Sequence, residues 1–373
     1  MESCLGLINF EDIGRNFEEL CRSRPAYMLP FGGRYRLVDF ALSNMVNHGI
    51  RTVATYTGDK IRSTMDHLGD GRPWELNRRI NGLFIFPPQF DDENHRQGNI
   101  YQYYMTEDFF LNTKEEYILI ANPNILAKVD LTEAFSHFRE SDADVCLIYK
   151  KKTNDGDMNI NSEKLIIDEN GDLINIGLNL GAESEFNLFM HMGFVKKEVF
   201  LKIIKKSMET GNDMYFKQAL MKDKGEYKIN TYEFKGHVES ITGIESYYNA
   251  NMNLLDEDIF NELFFQGGPI FTTSKDEPST LYAPGSKVKN SLVANGCIIE
   301  GTVENSILFR GVKVGKNARV KNSILMQKTI VEEDSVIVNT ISDKYGTIKK
   351  GSRIAGSKSN PYIIGKRAIV REG

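Results

Sequence analysis

An α/β domain followed by a parallel β-helix of hexapeptide repeats is the fold class this sequence predicts. Three features carry the prediction. Through roughly residue 255, short apolar runs alternate with amphipathic stretches. The stretch QGGPIFTTSKDEPSTLYAPGS then brings turn formers and no helical period. Beyond it, apolar residues recur every six. The expected divisions are a first domain over 1–255, a linker over 256–284 and the β-helix over 285–373.

Along the first domain, RTVATYT and EYILIAN read as buried strands, LTEAFSHFRESDA as a helix and DVCLIYKK as the next strand, the βαβ rhythm of an open, mostly parallel sheet. KLIIDENGDLINIGLNL places NG between two alternating apolar runs, a hairpin signal, and VKKEVFLKIIKKSMETG is an amphipathic helix stopped by Gly211. YQYYMTEDFF has helical spacing with one face to bury, and Trp74 reads as a packing anchor. In the second part, hexads begin at 314 and 320, 331 and 337, 348 and 354, so equivalent starts lie seventeen residues apart. Small or β-branched residues at hexad starts suit the inside of a narrow prism, and Gly, Asn and Asp suit its corners.

Composition excludes several classes. With 373 residues, 41% of them hydrophobic, the chain is long enough for two cores. A net charge of −5 leaves no basic excess for a nucleic-acid backbone or an anionic membrane. No stretch approaches the roughly 18 apolar residues that span a bilayer. Cys4, Cys21, Cys146 and Cys297 form no CxxC pair and read as buried thiols of a cytoplasmic protein. The six histidines never fall at helical metal-ligand spacing, and none occurs after His237, which argues against hexapeptide acyl-transfer chemistry.

FGGRYRLVDFALSNMVNHGI, HLGDGRPWELNRRINGLFIFPP, ESITGIESYYNANMNLL and NSLVANGCIIEGTVENSILFRGVKVG, in this order, resemble the glucose-1-phosphate adenylyltransferase family, which makes ADP-glucose from ATP and glucose 1-phosphate with magnesium. The resemblance implies a Rossmann-like nucleotidyltransferase domain ahead of a left-handed parallel β-helix.

The same resemblance exposes departures wherever the family does chemistry. Its glycine-rich phosphate loop corresponds to Glu11, Asp12, Ile13, Gly14, Arg15, Asn16 and Phe17, with one glycine kept and Asn16 where an arginine belongs. Carboxylates repel a triphosphate, and bulky residues hold it off the backbone N–H groups that would bind it. Ala26 stands for a phosphate-binding lysine. Asn124 and Ser240 stand for the two magnesium aspartates, and Asn179 for the sugar-phosphate lysine. On the sugar side, Gly98, His191 and Gly193 are remnants of the substrate pocket.

The resemblance therefore implies no catalytic residue, no metal site and no cofactor in this chain. It implies a non-catalytic partner of a catalytic subunit in a mixed oligomer. Arg34, Arg36 and Arg51 match positions of an anionic sugar-phosphate effector surface, since guanidinium forks suit phosphate. Taken singly, Arg36 reads as a brace to Asp39, and Arg51 as solvated surface. Two other readings stay open: an active enzyme whose metal is held by Glu239 and Asp130, and a sensor that binds sugar nucleotides without reacting.

Overall fold

The computed structural model describes residues 1–9, 13–58, 60–88, 98–154, 159–211 and 213–371. The buried apolar run Cys4–Ile8 forms the central strand, with Thr52–Tyr56 and Tyr117–Ala121 parallel on either side and Gly82–Phe86 parallel beyond Thr52–Tyr56. On the other flank, Glu185–Lys196 runs antiparallel to Tyr117–Ala121 and to Val145–Thr153, which pairs in parallel with Ile229–Glu233. Strand residues face two layers in turn. Cys4, Val53 and Leu119 meet one core with the helices Leu37–Asn47 and Leu131–Glu140. Leu5, Ala54 and Ile118 meet the other with Asn99–Met105, Glu107–Asn112, Lys197–Thr210 and Phe216–Lys222.

The predicted elements form. Glu163–Ile167 and Leu173–Leu178 pair antiparallel, with Gly171 in the left-handed conformation at the turn. Gly211 ends the helix Lys197–Thr210 in that same conformation, which glycine adopts without a Cβ penalty. Trp74 is buried edge-on against His67.

From Leu281 the chain winds a left-handed parallel β-helix of three ladders, containing six, five and five strands. The seventeen-residue spacing is its register: Val314 lies beside Val331 and Val331 beside Ile348, all sealed inside the prism. Corners are turned by left-handed residues such as Asn305, Asn317, Asn322, Asp334 and Asn339. Short polar side chains tolerate that conformation and bond from coil to coil, as Asn317 does to Asp334 at 3.1 Å.

The segment expected to be linker over 256–284 is structured at both ends. Asp256 caps a helix, Glu257–Phe265, by accepting from the N–H groups of Asp258 and Ile259, and Leu263 and Phe264 are buried. Leu281–Tyr282 already pairs with the second coil. Between them the chain is an extended strap, held where the Phe271 N–H donates to Ser43 Oγ (2.8 Å) and Thr273 Oγ1 to the His67 carbonyl (2.9 Å). Turn-forming composition hid the two-residue strand, while the helix lies just ahead of the turn-rich stretch and shows only one short apolar face.

The two domains share a core. Ile307, Ile324 and Ile341, on one outer face of the prism, pack with Phe17, Leu20, Phe31, Tyr247 and Tyr248. Across this contact Arg24 donates to both carboxylate oxygens of Asp343 at 2.7 and 2.5 Å, both side chains buried. Among the described residues no helix is long and apolar enough to cross a membrane, and all four cysteines are buried.

Candidate functional site

The phosphate-loop position is the first test. Glu11 and Asp12 lie outside the described residues. From Gly14 to Cys21 the chain forms two 3-10 turns broken at Glu18, whose φ is 45°. Phe17, Leu20 and Cys21 turn inward and are buried in the inter-domain core. Asn16 stays at the surface and donates from Nδ2 to the Thr242 carbonyl, 2.9 Å away, so the turn is pinned beside the strand that carries Ser240. Ala26 is buried in the same core and faces packing, not a pocket. A phosphate cradle needs a run of N–H groups left open to the ligand, and here apolar anchoring folds that segment down instead.

Asn124 and Ser240 do come together. The short strands Ile125–Leu126 and Glu239–Ser240 pair antiparallel, and the Ile241 N–H donates to the Asn124 carbonyl at 3.0 Å. Asn124 is 3% exposed, and among the described residues neither its side-chain nitrogen nor its side-chain oxygen has a hydrogen-bond partner. An amide and a hydroxyl offer a divalent cation no negative charge, so this donor set does not fit magnesium bridging two polyanions. Substitute ligands are not assembled either. Glu239 points away and accepts from His237 Nε2 at 2.7 Å and Asn253 Nδ2 at 2.8 Å. Asp130 caps the helix Leu131–Glu140, accepting from Thr132 and Glu133 N–H. Among the described residues no group of three or more metal-binding side chains gathers.

Of the residues read as sugar-side remnants, His191 and Gly193 line a small cavity of about 60 Å³, with Asn99, Asn122, Phe189 and Lys217 also in its wall; Gly98 lies beside Asn99 and outside that lining. Gly98 and Gly193 are fixed by close approach. A Cβ on Gly98 would lie 2.1 Å from the Met214 carbonyl oxygen, and one on Gly193 would lie 2.5 Å from that of Cys146. His191 sits at the bulge in its strand with φ 47°. The cavity's cation is already neutralised: Lys217 pairs with Glu163 at 2.7 Å, and His191 lies 3.8 Å from the same carboxylate. Asn179 does not reach the cavity. It is buried and ties its own loop through Asn154 Oδ1 (2.6 Å) and the Asn159 carbonyl (3.0 Å).

The three arginines do not form one cluster. Arg51 donates to the Val46 carbonyl at the C-terminal end of the helix Leu37–Asn47, while Arg34 and Arg36 lie at its N-terminal end, about 16 Å away for eleven residues. Arg34 is exposed, its guanidinium 6.0 Å from the Tyr35 ring. The expected brace from Arg36 to Asp39 is made by the backbone: Asp39 accepts the Arg36 N–H at 2.9 Å and binds His67 Nε2 at 2.6 Å with its other oxygen. The Arg36 guanidinium instead donates to the Met28 carbonyl and Ser63 Oγ.

Tertiary structure adds partners to Arg36 that its surroundings in sequence did not announce. Burial, then the neighbouring Arg24 charge, lowers its pKa to about 10. Lys344, from the β-helix, is lowered to about 7 by burial, then by Arg36 and Arg24. Burial also lowers Arg310, whose surroundings include Arg34. Arg36 and Lys344 are half-buried and make no ion pair among the described residues, with the Arg24–Asp343 pair beside them.

Comparison with known proteins follows this geometry. A family model described as "Nucleotidyl transferase" matches residues 13–159, and "GlmU-like, C-terminal hexapeptide" matches residues 281–360. The chain is 33% identical over 369 residues to "Glycogen biosynthesis protein GlgD" of Bacillus subtilis (strain 168), covering 99% of this chain and 97% of that protein. It is 34% identical over 371 residues to the protein of the same name from Geobacillus stearothermophilus, with the same coverage. It is also 31% identical over 316 residues to "Glucose-1-phosphate adenylyltransferase" of Clostridium botulinum (strain Alaska E43 / Type E3), covering 81% of this chain and 78% of that one. With this coverage, this domain order and the matched framework motifs, the chain belongs to the glucose-1-phosphate adenylyltransferase family.

Proposed function

We infer that this chain acts in glycogen biosynthesis as a non-catalytic, regulatory subunit that supports ADP-glucose synthesis by a catalytic glucose-1-phosphate adenylyltransferase chain, as part of a mixed oligomer such as a heterotetramer in the cytoplasm. A role connected with glycogen follows from relatives that carry that name across nearly the whole chain. The observation that carries the finer reading is the phosphate-loop position: Phe17 and Leu20 are buried in the inter-domain core, and Asn16 is bonded to Thr242. The neutral Asn124 and Ser240 support the same reading, because charge neutralisation by magnesium is worth several kcal/mol in this class of transfer. Four buried cysteines with no CxxC spacing suit a reducing compartment.

The test is a paired assay. The purified chain with ATP, glucose 1-phosphate and magnesium is expected to form little or no ADP-glucose, and to change the rate or effector response of a catalytic relative when mixed with it. Appreciable turnover by the chain alone would reverse the reading.

The half-buried cations Arg36 and Lys344, beside the Arg24–Asp343 pair, support a regulatory role through an anionic sugar-phosphate effector, since a phosphate bound at the seam would relieve their mutual repulsion. Arg34 lies at the rim of this seam. Arg51 has no part in it.

A further inference from the structure

The faces of the prism are used differently. The face that turns Ile307, Ile324 and Ile341 outward packs on the first domain. A second face is the five-strand ladder Lys287–Lys289, Thr302–Glu304, Arg319–Lys321, Val336–Val338 and Arg353–Ala355. The middle residue of each strand after the first fills the prism, as Val303, Val320, Ile337 and Ile354 do, so the residues on either side of it point outward. Register stacks these in two columns. One reads Lys287, Thr302, Arg319, Val336, Arg353, and the other Lys289, Glu304, Lys321, Val338, Ala355. Five of these ten positions are cations, and the one carboxylate, Glu304, lies between Lys289 and Lys321. All five cations are exposed. Elsewhere on the β-helix Lys349 pairs with Glu332 at 2.7 Å and Lys350 with Glu333 at 2.9 Å. Among the described residues none of the five on this face is in an ion pair.

Spacing and surroundings restrict what such a face can hold. Neighbouring coils lie about 4.8 Å apart and the cations occupy alternate coils, so they recur about every 9.6 Å along the prism, in columns about 6.7 Å apart. Seven residues of α-helix rise about 10.5 Å, close to that repeat, and a helix about 10 Å wide covers both columns. Between the cationic coils lies a half-buried apolar pair, Val336 and Val338. An inorganic polyanion gains nothing from that pair, whereas a helix with an aliphatic residue between its carboxylates does. Neither column contains an aromatic side chain on which a nucleic-acid base could stack. A bilayer is wider than the face and would meet the net charge of −5 carried by the whole chain, while a single helix meets the cations alone.

We propose that this ladder is a docking face for an acidic, amphipathic helix of a partner protein, laid along the prism with carboxylates seven residues apart over the cationic coils and an aliphatic residue over Val336 and Val338. The surface is separate from the seam of Arg36 and Lys344 and does not depend on the reading of the chain as a subunit.

The probe is a labelled synthetic helical peptide with glutamates at i, i+7 and i+14 and leucines between them, titrated with the full chain and read by fluorescence anisotropy at low and at physiological ionic strength. Binding is expected, and is expected to weaken as salt rises. Arg319→Glu with Lys321→Glu should weaken it about tenfold, and Val336→Ser with Val338→Ser severalfold. Lys313→Glu, on the neighbouring ladder, should leave it unchanged. Unfolding midpoints close to that of the unaltered chain would show that each variant still folds. Four results overturn the proposal: no binding of the peptide; equal binding of a peptide of the same composition with its glutamates scattered around the helix; unaltered binding by the charge-reversed pair; or inorganic polyphosphate or phosphatidylserine vesicles occupying the face more tightly than the peptide. A loss in Lys313→Glu as large as in the charge-reversed pair would reduce the effect to net charge, and overturns it as well.

Discussion

Arg24, Asp343 and Lys344 show how much of this molecule is decided by single side chains at the seam. Arg24 and Asp343 are a buried, two-bond ion pair between residues 319 positions apart. Removing one partner strands the other charge in the core, so Arg24→Met should destabilise the chain by about 3–5 kcal/mol in urea unfolding, and Arg24→Met combined with Asp343→Leu should recover most of that loss. Lys344 behaves oppositely. Its pKa is about 7 in the fold against 10.5 for the free side chain. Between those values the unfolded chain binds more protons than the folded one, so stability from this residue rises with pH across that window and its cost is fully present below pH 7. Lys344→Met should therefore raise stability at pH 6 by on the order of a few kcal/mol, and change little near pH 10.5. Equal gains at both pH values would show that packing, not charge, dominates there. None of this could be read locally. The sequence pattern paired Arg36 with Asp39 three residues on, whereas Asp39 caps the helix backbone and holds His67, leaving the guanidinium to the seam.

Elements tell a more legible story, with the phosphate-loop segment as its exception. Its loss of glycine was visible from Ile13, Asn16 and Phe17. That it becomes two 3-10 turns packed on the β-helix was not, because the core that holds Phe17 and Leu20 includes residues as distant as Ile241, Ile307, Ile324 and Ile341. Phe17→Ala should cost about 3–5 kcal/mol as a core deletion, measured by denaturant unfolding. Asn124→Asp with Ser240→Asp is expected not to restore turnover, since charge for the metal does not reopen the loop; measurable ADP-glucose formation by that variant would show that metal charge alone was missing. The hexad corners were read correctly for a simple reason: their period repeats and their φ is demanding. Asn317 has φ 59°, so Asn317→Val should cost about 1–2 kcal/mol and Asn317→Gly close to nothing, as read by thermal melts.

At the scale of the whole molecule, the β-helix lies along the first domain through Ile307, Ile324 and Ile341, and the cations of both domains meet in that contact. An anion bound there would join the domains. Arg34→Ala with Arg36→Ala, and separately Lys344→Met, should blunt activation of the mixed oligomer by a sugar bisphosphate, seen as a severalfold rise in the concentration needed for half-activation. Arg51→Ala, at the other end of the helix, should leave it unaltered. Unchanged activation in the first two variants would move the effector site elsewhere.

The strands, the hairpin at Gly171, the helix stop at Gly211 and the seventeen-residue coils were determined by the sequence itself, because apolar periodicity and left-handed turn residues act within a few positions of one another. That Asn16, Ala26, Asn124 and Ser240 stand where the family carries phosphate- and metal-binding residues is what the resemblance implies. Only the tertiary structure decided that Arg51 stands apart from Arg34 and Arg36, that Lys344 joins them, and that residues 257–265 and 281–282 are not linker. Burial and Coulomb interaction depend on distance in space, and the residues that supply them here are separated by hundreds of positions along the chain.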